Sequence, residues 1–506
     1  MPLPLAEWSP AGANATIFDM TVAGAWDDLA ADYTYMPRGN PPLARIFEIA
    51  RSHNVTTIIK EPRYVDADWR SQLSHFYNGN FRRFPSVCHR LHFFAGSVPT
   101  NLEDLGGLED AYKGYTVLRP LPISPVGRTM LMPPPEMADA VRCESLEEID
   151  LFGWPFEIRA MPFISQDTQY HRCAHASLWM VLRHAHFQHG LPLHLPSEIH
   201  EAATGGVMVG RQLPSDGVSA HQLFCAMTTL GLSPAQKPLA PTAVENEGYG
   251  LLRLHALVCR YVNSSLPPIV ISNTHAWVIV GYSRVLSSGV QRIHLWRHDD
   301  AAGPYIEVPD PWNEPDAPHR PWLSVYLPLL PKAFVDAERA ELVGKAFVDR
   351  FGQGPGLVDG TTLAAAESRE DEVERPTFRT YLVPSTRFKR DLTDRGVPER
   401  LAAALRLSPM PRHIWVVEVV DRKLRDAGLP DVLGEVVLDA TLTQFEPLSD
   451  PASVMLFHVD DVAHLTGVDQ APALRLSLPR GVIYATGSPV LQEFEARRPP
   501  MTTSTP

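Results

Sequence analysis

Cys173 stands directly before a run of residues that carries the spacing of a helix. The apolar positions of that run are Ala176, Trp179, Met180 and Phe187, and they predict an amphipathic helix whose first turn contains the cysteine. Free amide groups and the dipole at a helix N-terminus favour a thiolate over a thiol. A cysteine taken alone is more often a small buried residue that packs in the core. This position therefore predicts a nucleophile only together with further residues.

A cysteine nucleophile needs a base that is distant in sequence and adjacent in the fold, and His275 is the candidate. It heads an apolar stretch, WVIVGYS, that predicts a strand, so the imidazole would lie at a sheet edge. The next predicted strand, QRIHLWRH, ends at Asp299 and Asp300. A carboxylate there would accept the second ring N–H of His275 and fix its tautomer. We rank Asp299 first and Asp300 second, with Asp310, after the stretch YIEVP, third.

The elements around these residues divide the chain into five predicted parts. Short strand-like runs such as TTIIK and RLHFF indicate an N-terminal α/β unit of unknown role over 1–150. The cysteine and histidine fall in a middle domain, 151–345, followed by a Gly-rich and acidic linker, 346–378. The runs IWVVEVV and GEVVLDAT predict a C-terminal α/β unit of unknown role over 379–490, and 491–506 is predicted to be a disordered tail.

Five short patterns of the middle segment follow one another in an order that resembles a known family. They are Gln166, Cys173-Ala-His-Ala-Ser-Leu-Trp-Met, Gly217-Val-Ser-Ala-His-Gln-Leu, His275-Ala-Trp-Val-Ile-Val-Gly-Tyr and Asp299-Asp-Ala-Ala-Gly-Pro. The order resembles the papain-like cysteine peptidases, in the branch related to the bacteriocin-processing peptidases, over about Met161 to Pro304. Two positions depart from that pattern, since Ala174 replaces the usual Gly and Asp300 the usual Pro.

The resemblance implies an α+β fold with a papain-like core, flanked by the N-terminal and C-terminal α/β units. In that core a helical lobe carries Cys173 and an antiparallel sheet carries His275. Cys173 would attack an acyl carbon, His275 would take and return the proton, and Asp299 would orient His275. Gln166 and the Cys173 backbone N–H would form the oxyanion hole. Gln169 is a second candidate for that donor, but Gln166 directly follows the apolar residues MPFIS, which should anchor it.

These roles predict a thiol hydrolase, a cysteine peptidase that cleaves an amide or isopeptide bond of a peptide or protein through an acyl-enzyme. We expect no cofactor. Two alternatives stay open: a non-catalytic papain-like scaffold or protein-interaction module, and a papain-fold acyltransferase or deamidase. Candidates for all four roles favour an enzyme, because a scaffold needs none of them.

Two other kinds of site are weighed and set aside on spacing. Six potential metal ligands crowd the same region, namely His171, Cys173, His175, His184, His186 and His189. Zinc motifs pair two cysteines with two histidines, and no second cysteine lies nearby, so we predict no metal and solvent-facing histidines. The glycine-containing stretch 205–210 lacks the Gly-Lys-Ser/Thr of a phosphate-binding loop and is interpreted as an ordinary loop.

Composition excludes several classes of function. The chain has 506 residues with a formal net charge of −13, so neither nucleic acid nor an anionic membrane is an expected partner. No stretch has the roughly 20 mostly apolar residues of a spanning helix, and the first residues do not resemble a signal peptide. Five cysteines are too few for a disulfide scaffold and are odd in number, which favours free thiols and a cytoplasmic location.

Two charged patterns are interpreted as solvated surface. The acidic run 367–374 is typical of a linker. Glu418, Glu435 and Asp439 alternate with valines, which is typical of the solvent face of a strand rather than of paired catalytic carboxylates.

Overall fold

The computed structural model describes residues 16–33, 40–96, 102–121, 123–167, 172–205, 218–239, 247–272, 275–287, 290–308, 322–351, 377–442, 454–459, 462–465, 474–479 and 481–497. All sheet pairings among these residues are antiparallel, and helices accompany each large sheet, so the chain is α+β. Contacts divide it into two compact units, 1–254 with 266–328 and 255–265 with 329–506.

The first unit begins with a five-stranded sheet whose strands pair in chain order. Its strands are β1 (Thr16–Asp19), β2 (Thr57–Tyr64), β3 (Cys88–Phe94), β4 (Tyr112–Leu118) and β5 (Val126–Leu131). The accompanying helices are α1 (Ala25–Ala31), α2 (Pro41–Ser52) and α3 (Ala67–Gln72), the last continuing into a π-helical turn, Leu73–Tyr77. A short strand, β6 (Ala140–Arg142), and a hairpin, β7 (Ser145–Leu151) with β8 (Trp154–Ala160), complete this region.

That hairpin crosses the predicted domain limit at residue 150. Phe152 and Gly153 connect its strands with φ values of 54° and 92°, as a two-residue turn between antiparallel strands requires. Its inward side chains, among them Ile149 and Phe156, join the apolar core of the N-terminal sheet. The N-terminal core therefore extends to Ala160.

The second sheet of the first unit carries the candidate site. Its strands are β9 (Ala235–Pro238), β10 (Ile269–Ser272), β11 (Ala276–Ser287), β12 (Val290–Asp299), β13 (Gly303–Val308) and β14 (Trp322–Leu327), in the order β13-β12-β11-β10-β14-β9, with β6 also paired to β11. Four helices, α4 (Cys173–His189), α5 (Pro196–Thr204), α6 (Ala220–Thr229) and α7 (Glu247–Val262), precede most of these strands. Gly281 permits the β6 pairing, because a Cβ there would lie 2.7 Å from the Val141 carbonyl oxygen.

The second unit contains a six-stranded sheet that again pairs in chain order. Its strands are β15 (Thr377–Pro384), β16 (His413–Val420), β17 (Val432–Asp439), β18 (Val454–Val459), β19 (Val462–Leu465) and β20 (Leu474–Ser477). Its helices are α8 (Ala337–Phe351), α9 (Ser385–Asp391), α10 (Glu399–Leu407), α11 (Arg422–Asp426) and α12 (Pro489–Arg497).

Three expectations about the flanking regions differ from the structure. Both flanking units were expected to be α/β, but their sequential strands pair antiparallel, even where helices connect them, as between β1 and β2 and between β15 and β16. The predicted linker, 346–378, begins inside α8 and ends inside β15, and 352–376 lies outside the described residues. The predicted disordered tail, 491–506, begins inside α12, where Val490, Leu491 and Phe494 are buried, as on the inner face of an amphipathic helix.

The interpretation of Glu418 and Glu435 as solvent-facing is wrong, because both side chains are fully buried. Arg379 donates to Glu418 at 2.6 Å, and Arg395 donates to Glu435 at 2.8 Å. The third carboxylate, Asp439, is half-buried and accepts a hydrogen bond from the Thr441 amide at 2.8 Å. The buried charges of Glu418 and Glu435 persist because each of these two carboxylates has a guanidinium partner.

The described helices and cysteines bear on two further expectations. No helix in the described ranges is both long and apolar enough to cross a membrane. All five cysteines are free thiols: Cys88 and Cys143 are buried, Cys173 and Cys259 are half-buried, and Cys225 is exposed.

Candidate active site

Cys173 is the first residue of α4, as its position before the helical pattern predicts. Arg172 before it has extended backbone angles and marks the helix boundary, and its amide donates to Nδ1 of His175 at 3.3 Å. Cys173 is half-buried and lies in the first turn of a 17-residue helix.

The helix behind Cys173 is buried on all sides from Ala174 to Ala185, so the amphipathic helix predicted from sequence is not observed. The reason is that helices α5 and α6, strand β11 and the N-terminal region all pack against α4. On the N-terminal side, Asp68 accepts a hydrogen bond from the Trp179 indole at 3.1 Å and one from Arg183 at 2.6 Å. These contacts fix the helix that carries the thiol.

His275 lies directly before β11, at the sheet edge that the sequence predicts. Its amide donates to Oγ of Ser272 at 3.0 Å, and its carbonyl accepts from the Ser272 amide at 2.9 Å. Because the amide and the carbonyl group of His275 are both bonded to Ser272, the last residue of β10, the backbone at His275 is held by the sheet. The imidazole is buried, with 6% of the side chain exposed.

The imidazole of His275 lies next to a carboxylate and to the thiol of Cys173. Nε2 of His275 lies 2.9 Å from Oδ1 of Asp299, and Cys173 is near enough to the imidazole to influence its pKa. Burial lowers the pKa of His275, but the bonds to Asp299 and Cys173, with the charges of Asp299 and Asp300, raise it from 6.5 to about 10. The imidazole is therefore an imidazolium at neutral pH, the partner that a thiolate needs.

Asp299 is held as an anion by its surroundings. Oδ1 also accepts hydrogen bonds from the amides of Ala301 and Ala302 at 3.0 and 3.2 Å, and Oδ2 lies 3.7 Å from Arg297. Burial raises the pKa of Asp299, but the hydrogen bond and charge of His275, with those other donors, lower it to about 2. Asp299 is thus ionised and oriented at any working pH.

Asp300 is also near His275 but is differently placed. Its Oδ1 lies 3.6 Å from Nε2 of His275, and both carboxyl oxygens are buried without a hydrogen-bond partner among the described residues. Burial raises the pKa of Asp300, His275 opposes that shift and Asp299 adds to it, giving about 7. Of the two candidate carboxylates, Asp299 makes the shorter contact. The third, Asp310, lies outside the described residues.

Gln166 is half-buried in the segment that follows β8. The apolar residues before it are buried, as an anchored segment requires, and its carbonyl accepts a hydrogen bond from the Ser124 hydroxyl. The description stops at Asp167 and resumes at Arg172, so the competing Gln169 lies outside it. The assignment of the oxyanion donor to Gln166 stays a prediction.

Two residues that the sequence analysis did not single out, Trp277 and Arg297, lie next to residues of the site. The Trp277 ring lies 5.8 Å from the His275 ring, and the guanidinium of Arg297 lies 5.2 Å from the Trp277 ring. Each is two positions from a site residue, the spacing at which side chains alternate along a strand, although the β12–β13 pairing shifts register between Arg297 and Asp299. That alternation is the signal that could have identified them.

Metal binding was considered for the histidine-rich stretch, and the structure places its histidines differently from expectation. His175 and His184 are buried rather than solvent-facing, and His186 and His189 are half-buried, because α4 is enclosed by its neighbours. In the described part of the chain, the one group of three His, Cys, Asp or Glu able to hold a metal is His275, Asp299 and Asp300. These are the residues of the hydrogen-bonded site itself.

Comparison with known proteins adds no assignment. No protein-family model, no curated protein and no solved structure matches this chain. The function must therefore be argued from the site.

Proposed function

We propose that the chain is a thiol hydrolase, a cysteine peptidase with a papain-like core that cleaves an amide or isopeptide bond of a peptide or protein substrate. One observation carries the proposal: Cys173, at a helix N-terminus, and Asp299 both act on the same imidazole, that of His275. A nucleophile, a base and a group that orients the base are the minimum set for acyl transfer to a thiol.

In the proposed reaction the Cys173 thiolate attacks the substrate carbonyl carbon and a C–S bond forms. The carbonyl oxygen becomes an oxyanion, stabilised by the Cys173 backbone N–H and by Gln166. The His275 imidazolium then gives its proton to the leaving amine as the C–N bond breaks. Water attacks the acyl-enzyme, His275 takes a proton from it, and release of the acid restores the thiolate and imidazolium.

Asp299 supports each proton transfer without exchanging a proton. Its carboxylate accepts from Nε2 of His275, so the proposed reaction assigns proton exchange with the thiol to Nδ1. The two amide donors at Ala301 and Ala302 hold that carboxylate in place while the imidazole changes charge. Orientation of the base is therefore independent of the stage of the reaction.

Alkylation of Cys173 by iodoacetamide, followed by intact mass at pH 6 to 9, tests the thiolate. The experiment uses a Cys225→Ser, Cys259→Ser background, because Cys225 is exposed and Cys259 is half-buried like Cys173. Cys88 and Cys143 should not interfere, since both are buried and burial raises their pKa. We expect rapid modification at pH 6, where an ordinary free thiol, with a pKa of about 8.5, reacts slowly.

His275→Ala in the same background is the matched variant. It removes the imidazolium, so we expect alkylation of Cys173 to require higher pH. A second variant, Cys173→Ala, tests the nucleophile. We expect it to abolish release of p-nitrophenol from p-nitrophenyl acetate while the thermal unfolding midpoint is retained. An unchanged alkylation profile in His275→Ala would show that the imidazole does not activate the thiol. Full ester turnover by Cys173→Ala would show that another residue is the nucleophile.

A further inference from the structure

The segment Ser165–Asp167, which carries Gln166, is bonded to the N-terminal sheet region. Ser165 and Asp167 are buried, whereas Gln166 between them is half-buried. The residues before Gln166, from Met161 onward, are buried as well, so neighbouring residues cover this segment. The covering residues belong to a part of the chain to which the sequence assigned no role.

Arg119, directly after β4, is the centre of these contacts and is 2% exposed. Its Nη2 lies 3.1 Å from the Ser165 carbonyl oxygen and 3.2 Å from Ser165 Oγ. The same nitrogen lies 2.7 Å from the Val126 carbonyl oxygen and 3.1 Å from that of Ser124. Nη1 donates to Gln72 at 3.2 Å. A planar guanidinium offers several donors in a fixed geometry, so one side chain holds several backbone groups in register.

Ser124 extends this connection to Gln166 itself. Its hydroxyl donates to the Gln166 carbonyl oxygen and lies 3.0 Å from Ser165 Oγ. The Ser165 hydroxyl in turn donates to the Val126 carbonyl at 2.6 Å. The backbone on both sides of the Gln166 α-carbon is therefore bonded to residues 119–126.

Further contacts hold the same segment upstream and downstream of Gln166. Phe163 and Thr129 exchange two backbone hydrogen bonds of 2.9 and 3.0 Å, and the Tyr77 hydroxyl donates to Asp167 at 3.0 Å. The N-terminal region thus contacts the segment at each of the positions 163, 165, 166 and 167.

We propose that Arg119 is a positioning residue for the oxyanion donor, and that the N-terminal sheet region is a structural part of the catalytic apparatus. The inference rests on the proposed function and extends it to residues that no comparison assigns. An oxyanion donor stabilises the transition state only if it is already in place, because reorganisation during the reaction offsets its contribution. Arg119 acts through the backbone of Ser165 and through Ser124 and does not touch the reacting atoms.

Ser124→Ala and Arg119→Lys test the proposal with two reactions of one thiol. Hydrolysis of p-nitrophenyl acetate forms an oxyanion, whereas alkylation by iodoacetamide displaces iodide at a saturated carbon and forms none. We expect both variants to lose roughly 10- to 100-fold in kcat for the ester at unchanged KM, since misplacement by about 1 Å costs on that order. We expect the alkylation rate of Cys173 to be unchanged.

A double-mutant comparison with Gln166→Ala separates positioning from general damage. If Ser124 acts through Gln166, Ser124→Ala has little effect when Gln166 is already alanine. Ser145→Ala is the matched control, because Ser145 is buried and its Oγ donates at 3.4 Å to the Ala160 carbonyl, with no bond to the Gln166 segment. Additive losses, or an equal loss in alkylation, would overturn the assignment.

Hydrogen exchange of the amides of residues 163–167 provides a readout that is independent of catalysis. Faster exchange is expected in Arg119→Lys and in Ser124→Ala but not in Ser145→Ala. Unchanged exchange would overturn the positioning role even if the protein is active. If the wild-type protein shows neither ester turnover nor activated alkylation of Cys173, the proposed function fails, and exchange alone still reports whether Arg119 holds the segment.

Discussion

Nε2 of His275 lies 2.9 Å from Oδ1 of Asp299, so the buried imidazole and the carboxylate form a direct hydrogen-bonded pair. Because Nε2 is engaged by the carboxylate, the proposed reaction assigns proton exchange with Cys173 to Nδ1. The same contact contributes to the pKa of about 10 for His275, so the imidazolium persists through neutral pH and is lost only as pH rises toward that value. In the proposed reaction, loss of this proton therefore sets the base limb of the activity profile.

Asp299→Asn should lower the pKa of His275 by about one to two units. The substitution removes a charge-assisted hydrogen bond, worth about 1.5–3 kcal/mol, and one pKa unit corresponds to 1.36 kcal/mol. Titration of the His275 ring by NMR measures the shift directly.

Asp300→Asn is the matched control for that titration. Its carboxyl lies 3.6 Å from Nε2 and acts on His275 through charge, so we expect a smaller fall in the pKa of His275. A larger fall in Asp300→Asn than in Asp299→Asn would assign the orienting role to Asp300.

Asp300 should also make the stability of the protein depend on pH. Its pKa is about 7 in the folded chain against an ordinary value of 3.8, so the folded state holds the proton more tightly than the unfolded state. Stability contributed by this group is full below about pH 4 and falls as pH rises to about 7. Relative to Asp300→Asn, wild type should therefore lose free energy of unfolding between those values.

Urea denaturation of wild type and Asp300→Asn at pH 4.5, 6 and 8 measures this difference, with Glu148→Gln, on the exposed face of β7, as the control. The gap between wild type and Asp300→Asn should widen in favour of the variant from the lowest pH to the highest. A gap that is constant with pH would mean that Asp300 is ionised throughout this range in the folded protein.

The sequence predicts local elements of the site well, because their signals are local. Helix α4 begins at Cys173 and β12 ends at Asp299, as the apolar spacing indicates. What surrounds α4 is not encoded in its own spacing. Its Trp179 and Arg183 bond Asp68, more than 100 residues earlier in the chain, and no periodicity within α4 reveals that partner.

The errors in the C-terminal unit have the same physical origin. Valines that alternate with carboxylates predict one solvent face, yet every residue of β16 is buried. Helix α8 packs on the face of Val417, where a Cβ on Gly344 would lie 2.7 Å from the valine Cβ, and the opposite face holds Val416 within a core that includes Phe388. A strand covered on both faces can hold a carboxylate only where a cation is supplied from elsewhere, and the sequence does not show where.

Gln166→Ala should lower kcat for ester hydrolysis by roughly 10²–10³ if this side chain is the oxyanion donor, the loss typical when such a donor is removed. KM should change little, because the donor acts on charge that develops during the reaction. Gln169→Ala is the competing variant and should have at most a several-fold effect. Steady-state kinetics on both variants measure the ranking, and the reverse order would assign the donor to Gln169.

Arg395→Met should destabilise the C-terminal unit by about 3–5 kcal/mol, the usual result when one partner of a buried ion pair is removed. Its guanidinium is 1% exposed, donates to Glu435 at 2.8 Å and lies 3.4 Å from Glu418, so methionine would leave those carboxylates short of a cation. Burial already raises the pKa of Glu435. The variant should therefore regain stability as pH falls, because Glu435 can then take up a proton.

Arg390→Met is the control, since that side chain is 73% exposed and its loss should cost less than about 0.5 kcal/mol. Urea denaturation at pH 5 and pH 8 measures both variants, and equal costs at the two sites would mean that the buried pair contributes no more than a surface contact.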